Sequence, residues 1–290
     1  MSLDTRALLS TLSLAKFEPK KIDKRLTRKV TSDNSAGAKS LRVSKTLLPD
    51  EAIEPIRKLD GEIRAYHDKH TVPWGRNNED LLASTFFLEY KDAMRGFRLR
   101  REPLVDTFVS NYPGSIQTAR VLLGAAFDPA DYPDSHRIRS KFSMSVDFKP
   151  VPNAGDFRIS ILREEMDELR KSVNARAEEA ERDATNNVVR RLMSPLAEMV
   201  NRLNDPSADL GLKSCKSFVA NVQEICDLIP AINITGDAKI EAARQRIMAG
   251  ICTTDPEMLR DNESVRGDTA RKAQEVLDTI SEFFPQAVAA

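Results

Sequence analysis

Two histidines, His67 and His70, have the spacing in this chain that most suggests a metal site. An H-x-x-H pair on a helix places both imidazoles on one face, with Asp68 between them, and such a face is used by metal sites. A metal site needs about three converging ligands, and the remaining histidine, His136, lies far away in the chain. Alternatively, the pair packs or caps the end of the helix, where a cation is favoured. The pattern favours a sharp helix–loop–helix corner ending at Trp74 over a metal-dependent enzyme.

Three evenly spaced aspartates, Asp128, Asp131 and Asp134, raise the alternative of a calcium site. The D-x-x-D-x-x-D array lacks the spacing and the glycine of an EF-hand loop. Pro129 and Pro133 interrupt it, and aspartates beside prolines are typical of turns. We therefore predict turn-forming aspartates here rather than a calcium site.

The sequence contains no recognisable nucleophile or nucleotide motif. Ser143 and Ser145 alternate along a predicted strand without a G-x-S-x-G elbow, and no G-x-x-x-x-G-K-[ST] phosphate loop is present. Cys215, Cys226 and Cys252 have no C-x-x-C spacing and fall on amphipathic segments, so we expect buried thiols that behave as small hydrophobic residues. We therefore predict a protein that is not an enzyme and that carries no cofactor or metal.

The basic residues are unevenly distributed, although Lys plus Arg and Asp plus Glu both number 44. Residues 16–45 hold ten Lys or Arg against three acids, an excess of seven positive charges. Such segments contact phosphates, which makes DNA binding one hypothesis, although few aromatic residues accompany them to stack bases. The candidate nucleic-acid contacts are Lys20, Lys21, Lys24, Arg25, Arg28 and Lys29, with a second run at Arg95, Arg98, Arg100 and Arg101.

Two other interpretations of the basic residues stay open. In the first they form a solvated helix face, and in the second they complement the C-terminal residues 255–290, which hold eight acids and four bases. In the second case, two copies would pair opposite ends of the chain, and the protein would be a homo-oligomer.

The remaining pattern predicts a mainly α protein: a helical bundle with one long central helix over residues 162–203 and a small antiparallel hairpin-like β insertion near 140–161. Helices are also expected over residues 3–17, 82–112 and 115–126, with a break at Pro113. Small apolar residues along the long helix suit close packing in a bundle or in an intermolecular coiled coil. We expect a principal domain over 1–204 and a helical C-terminal subdomain over 205–290.

Cysteine usage and hydropathy indicate the cellular environment. Three cysteines without paired spacing favour a reducing compartment, and no apolar run is long enough to span a membrane. The N-terminal residues lack the apolar core of a signal peptide. These features predict a cytoplasmic protein without membrane contact.

Several separated blocks resemble an uncharacterised family of bacteriophage and prophage helical proteins. They are Tyr66–His67 with Pro73–Trp74, then Tyr132–Pro133, then Pro150, Pro152 and Asp156–Phe157–Arg158. The resemblance covers roughly residues 10 to 200 and departs from the family pattern in the loop after Trp74. It implies a protein that acts through protein–protein contacts in the host cytoplasm, as an adaptor or scaffold for a MoxR-type AAA+ ATPase, in company with von Willebrand A-type proteins. It carries no catalytic assignment.

Overall fold

The computed structural model describes residues 3–37, 39–74, 78–152, 163–205 and 210–288. The chain is mainly α-helical with a small antiparallel sheet, as the sequence predicts. The helices are α1 Leu3–Arg6, α2 Lys24–Asp33, α3 Asp50–His70, α4 Phe87–Leu123, α5 Ser135–Ile138, α6 Arg163–Asn204, α7 Leu212–Ile232, α8 Ala238–Gly250, α9 Pro256–Asp261, α10 Glu263–Phe283 and α11 Pro285–Val288. In the described part of the chain, no helix is both long enough and apolar enough to cross a membrane.

The strands form two sheets. They are β1 Ala7–Ala15, β2 Lys20–Ile22, β3 Ser44–Thr46, β4 Val72–Trp74, β5 Glu79–Ala83 and β6 Ser143–Pro150. The larger sheet has the order β4-β5-β1-β6, with β4 and β1 both antiparallel to β5, and the smaller one pairs β2 with β3. Side chains of β6 alternate between exposed and half-buried, so the period-two prediction for this segment is confirmed.

The chain divides into two compact units with boundaries that differ from the predicted division at residue 204. Unit 1 comprises residues 1–11, 68–88 and 147–290, and unit 2 comprises residues 12–67 and 89–146. Both units are therefore discontinuous in sequence. Chain segments in α3, α4, β1 and β6 pass from one unit to the other.

Unit 1 is organised around α6, which packs against α7, α10 and α11 and against strand β4. The apolar stripe of α6 from Ala180 to Leu203 is buried in this core. The stripe predicted to suit bundle packing is thus used inside the unit over this half of the helix. Between residues 167 and 179, the described side chains are exposed or half-buried, so the coiled-coil alternative stays a prediction for that half.

Unit 2 has its own hydrophobic core, formed where α3 meets the middle of α4. Ile53 and Ile56 of α3 and Val105, Phe108 and Tyr112 of α4 belong to this buried cluster. Burial raises the pKa of Tyr112 to about 12, and its hydroxyl donates a hydrogen bond to the carbonyl of Pro133 at 3.1 Å.

Two local predictions are wrong. Residues 7–15 form strand β1 instead of a helix, because β1 lies between β5 and β6, whose hydrogen bonds satisfy its backbone on both sides. No break occurs at Pro113, since α4 continues to Leu123 and buries Tyr112 and Ala119 on either side of the proline. The long helix predicted over residues 162–203 corresponds to α6, which has 42 residues, and α4 with 37 residues is a second long helix.

The second predicted strand of the hairpin, over 156–161, lies outside the described residues. Asp156, Phe157 and Arg158 of the family resemblance lie there as well. In the described sheet, the neighbour of β6 is β1.

Candidate nucleic-acid interface

The first basic run lies in one continuous segment of unit 2. We define this segment, residues 20–46, as the basic arm. Strands β2 and β3 close its base, with Lys20 opposite Thr46 and Ile22 opposite Ser44, and helix α2 lies between them. Asp23 caps α2 by accepting hydrogen bonds from the backbone N–H groups of Arg25 and Leu26, both at 2.9 Å. A short polar N-cap of this kind satisfies donors that the first helical turn leaves free.

A buried ionic cluster holds the base of the arm, and sequence reasoning did not identify it. The Lys45 ammonium lies 3.4 Å from Asp23, forms a close ion pair with Asp131, and donates to the carbonyl of Ala126 at 3.0 Å. Lys21 pairs with the same Asp131 at 2.5 Å. Lys45, Asp23 and Asp131 are all buried, so the N-terminal end of α2 is held by charges largely removed from water.

The pKa values in this cluster move as expected for mutual neutralisation. Hydrogen bonds from the Leu26 N–H and from Lys45 hold the pKa of Asp23 below its usual range. Burial acts to raise the pKa of Asp131 and to lower that of Lys45, but the ion pairs outweigh it, so the Asp131 pKa is lowered and the Lys45 pKa is raised. All three groups are therefore charged near neutral pH.

The outer surface of the arm is positively charged, and Lys21 is its exposed cation with an ion pair among the described residues. Lys24 and Arg28 lie one turn apart on α2, as do Arg25 and Lys29. Arg25 is tied at 3.1 Å to the backbone carbonyl of Ala125, which is a neutral partner. Within the described part of the chain, no carboxylate pairs with seven exposed cations of the arm: Lys20, Lys24, Arg25, Arg28, Lys29, Lys39 and Arg42.

The second basic run, on α4, is different because most of its cations have partners. Arg95 pairs with Asp92 at 3.1 Å, and Arg100 pairs with Glu62 at 2.8 Å. The guanidinium of Arg98 donates to the carbonyl of Met144 at 3.3 Å. The two ion pairs neutralise Arg95 and Arg100, whereas the carbonyl on Arg98 is a neutral partner and leaves its charge in place.

Arg101 belongs to the interior of unit 2. Its side chain is only 5% exposed, and its Nε donates to Asp60 Oδ1 at 2.7 Å while Nη2 donates to the carbonyl of Ala15 at 2.9 Å. Such a charge-assisted pair is strong when it is well hydrogen-bonded, and it leaves this arginine out of the candidate interface. The structure thus brings the first run together and separates Arg101 from it.

The histidine block has packing contacts. His67 Nδ1 and the hydroxyl of Tyr90 are hydrogen-bonded at 2.6 Å in unit 2, and Tyr66 packs against Phe97 with ring centroids 5.4 Å apart. In unit 1, the His70 ring stacks on Phe86 at 4.9 Å. No group of three or more His, Cys, Asp or Glu suited to a metal occurs among the described residues.

The predicted helix–loop–helix corner is wrong, because the end of α3 leads into strand β4, which pairs with β5 within unit 1. Pro73 and Trp74 lie on β4, paired with β5, and Trp74 packs against the unit 1 core. Arg191 of α6 donates to the carbonyls of Lys69 and Thr71, both at 3.0 Å. A helix leaves its last carbonyls unsatisfied, so this arginine serves as a distant C-terminal cap.

Two of the three aspartates form turns, as predicted, whereas Asp131 belongs to the ionic cluster at the base of the arm. Asp128 accepts from the N–H of Ala130 at 3.0 Å, and Asp134 accepts from the N–H of His136 at 2.8 Å. The Tyr132 hydroxyl donates to the carbonyl of Leu47 at 2.9 Å. Of the remaining resemblance residues, Pro150 ends β6 and Pro152 is exposed.

Comparison of the chain with family models, with curated proteins and with solved structures finds no match. The resemblance to phage helical proteins therefore stays a prediction.

Proposed function

We propose that this protein is a binding protein that contacts duplex DNA through the basic arm. The observation that carries the proposal is the set of seven exposed arm cations that have no carboxylate partner in the part of the chain that the structure describes. Cations that are not neutralised within the protein are available to phosphates, and they release condensed counterions when they bind. On α4, Arg95 and Arg100 are paired and Arg101 is buried, so this helix contributes less to the proposal.

The composition of the arm favours duplex over single-stranded DNA. Residues 20–46 contain no Phe, Tyr or Trp, so the arm offers no aromatic platform for unstacked bases. Its helix presents Lys24 and Arg28 on one exposed face, which suits contact with phosphates along a groove edge. Contacts of this kind position a protein on DNA without selecting a sequence.

The neutral overall charge of the chain is compatible with this proposal. Salt screens exposed charges beyond about 8–10 Å at ordinary ionic strength, so a phosphate on the arm responds mainly to the arm itself. The excess of seven positive charges over residues 16–45 is therefore the relevant quantity, rather than the sum over the chain.

The experiment is a fluorescence anisotropy titration of a labelled duplex at several salt concentrations. The test variant is Lys24→Gln/Arg28→Gln, and the matched control is Lys58→Gln/Arg64→Gln, which removes the same pair of residue types from the exposed surface of α3. Each lost phosphate contact lowers the slope of log K against log salt by about 0.9, so two lost contacts lower it by roughly 1.8. At about 0.1 M salt, this corresponds to a loss of affinity of roughly 60-fold.

The control double variant is expected to bind like the wild type. Absence of wild-type binding at low salt would exclude the proposal, and an equal loss in the control would show that the arm is not the site. The same titration with single-stranded DNA of equal length tests the choice of duplex.

A second candidate is the adaptor function that the family resemblance implies. Near the C-terminal end of α4, Val121 is 83% exposed and Leu122 is 72% exposed, which is unusual for neighbouring aliphatic residues and favours a protein contact. On this proposal, the protein is a homo-oligomer in the host cytoplasm that binds a MoxR-type AAA+ ATPase. Native mass spectrometry of the protein alone and mixed with such an ATPase tests it, with Leu122→Ser as the variant expected to lose the complex.

A further inference from the structure

We propose that Cys226 and Cys252 form a reversible intramolecular disulfide when the protein meets hydrogen peroxide. The two residues are 26 positions apart in the sequence, yet both belong to unit 1, where their thiols are direct neighbours that interact with each other. Cys226 lies on α7 and Cys252 follows the end of α8. No C-x-x-C spacing marks this pair, so only the packing of α7 against α8 reveals it.

The two thiols differ in exposure. Cys226 is fully buried in the unit 1 core, and Cys252 packs against the same core while it stays partly exposed. The backbone N–H of Cys252 donates to the carbonyl of Ile247 at 3.1 Å, which holds the residue against the end of α8. A peroxide arriving from solvent therefore reaches Cys252 first, while Cys226 is positioned to react second.

The difference in exposure assigns the two chemical roles. Contact with Cys226 acts in the same direction, because it lowers the pKa of Cys252. The thiolate is the reactive nucleophile, so the accessible Cys252 attacks and the buried Cys226 resolves.

The reaction balances with the peroxide as the two-electron oxidant. The Cys252 thiolate attacks one peroxide oxygen, the O–O bond breaks, and the departing hydroxide takes up a proton to leave as water, which gives a Cys252 sulfenic acid. The Cys226 thiol then loses its proton, and its sulfur attacks Cys252 Sγ. The sulfenic hydroxyl leaves with that proton as a second water. Two thiols are oxidised, one peroxide is reduced, and a thiol reductant reverses the change.

Cys215 serves as an internal control. It is as deeply buried as Cys226, and burial raises the pKa of its thiol, but its sulfur contact is to the carbonyl of Leu210 rather than to another thiol. The oxidised protein is therefore expected to retain Cys215 as its one free thiol.

The experiment is peroxide treatment of the full-length reduced protein, followed by alkylation under denaturing conditions and mass spectrometry. Wild type is expected to fall from three alkylated cysteines to one, with a mass loss of two hydrogen atoms before alkylation. Tryptic digestion should link the peptide 217–239 to the peptide 247–260 and leave the peptide 214–216 alkylated. Cys215→Ala should behave like wild type, and Cys252→Ser should form no intramolecular link.

Circular dichroism of each variant shows whether it folds, so a misfolded variant cannot be counted as support. Three alkylated cysteines in the treated wild type would overturn the proposal, and so would a link through Cys215 or an irreversible sulfinic acid at Cys252 as the main product. The proposal is independent of DNA binding, because the arm belongs to the other unit.

Discussion

Substitution of Lys45 by Met tests whether the buried ionic cluster holds the basic arm. The change removes the ammonium that lies between Asp23 and Asp131 and leaves both carboxylates buried. Removal of one partner from a buried ion pair costs roughly 3–5 kcal/mol, because the remaining charge is no longer compensated. Lys21 stays with Asp131 at 2.5 Å, so we expect a loss near the lower end, about 3 kcal/mol.

The assay uses the unequal distribution of aromatic residues between the two units. All four tyrosines lie in unit 2, and the single tryptophan, Trp74, lies in unit 1. Urea unfolding followed by tyrosine absorbance therefore monitors the unit that carries the arm, and tryptophan fluorescence monitors the other. The free energy of unfolding falls by about 2 kcal/mol per molar urea, so the urea midpoint measured by tyrosine absorbance should fall by roughly 1.5 M.

The control is Lys58→Met, which removes an exposed lysine of α3 in the same unit. It should leave the tyrosine midpoint nearly unchanged, since an exposed lysine contributes little to stability. The reasoning is refuted if Lys45→Met unfolds within about 0.5 kcal/mol of wild type. Lys45→Met should also weaken duplex DNA binding although it removes no exposed cation, because α2 loses the cluster that holds its cap.

Three further outcomes follow from other buried charges. Asp60→Asn leaves the buried Arg101 guanidinium without its counter-charge. The free energy of unfolding of unit 2 should therefore fall by about 3–5 kcal/mol in a urea titration followed by tyrosine absorbance. A change below about 1 kcal/mol would contradict this expectation. Arg191→Gln removes two hydrogen bonds to the carbonyls at the end of α3, so the transition monitored by Trp74 should lose about 1–3 kcal/mol, whereas exposed Arg190→Gln should change it little. The lowered pKa of Asp131 means that its stabilising effect is complete above its unfolded pKa of about 4 and is lost as the pH falls through the lower folded value. Unit 2 should therefore weaken as the pH falls below about 4, and Asp131→Asn, although less stable at neutral pH, should show a smaller pH dependence in acid unfolding curves.

The local sequence pattern was sufficient to predict those elements whose secondary structure depends on their own residues. The long apolar stripe over residues 162–203 predicted α6, and alternation over 142–148 predicted β6, because one buried face imposes the period of its secondary structure. The turn-forming aspartates were likewise predictable, since Asp128 and Asp134 bond to backbone groups only two residues away. The charge excess of the arm was also visible in the sequence.

Only the tertiary structure determined the features that depend on contacts between residues far apart in the chain. The apolar residues of 7–15 fit a helix equally well, and only pairing with β5 and β6 made them a strand. The two basic runs have similar compositions, but Asp60 and Glu62 neutralise cations about 40 residues further along, while the arm meets few carboxylates. The Cys226–Cys252 contact likewise required two helices to pack. In each case, a long-range contact has no local signature, because its free energy depends on a partner that the local sequence does not specify.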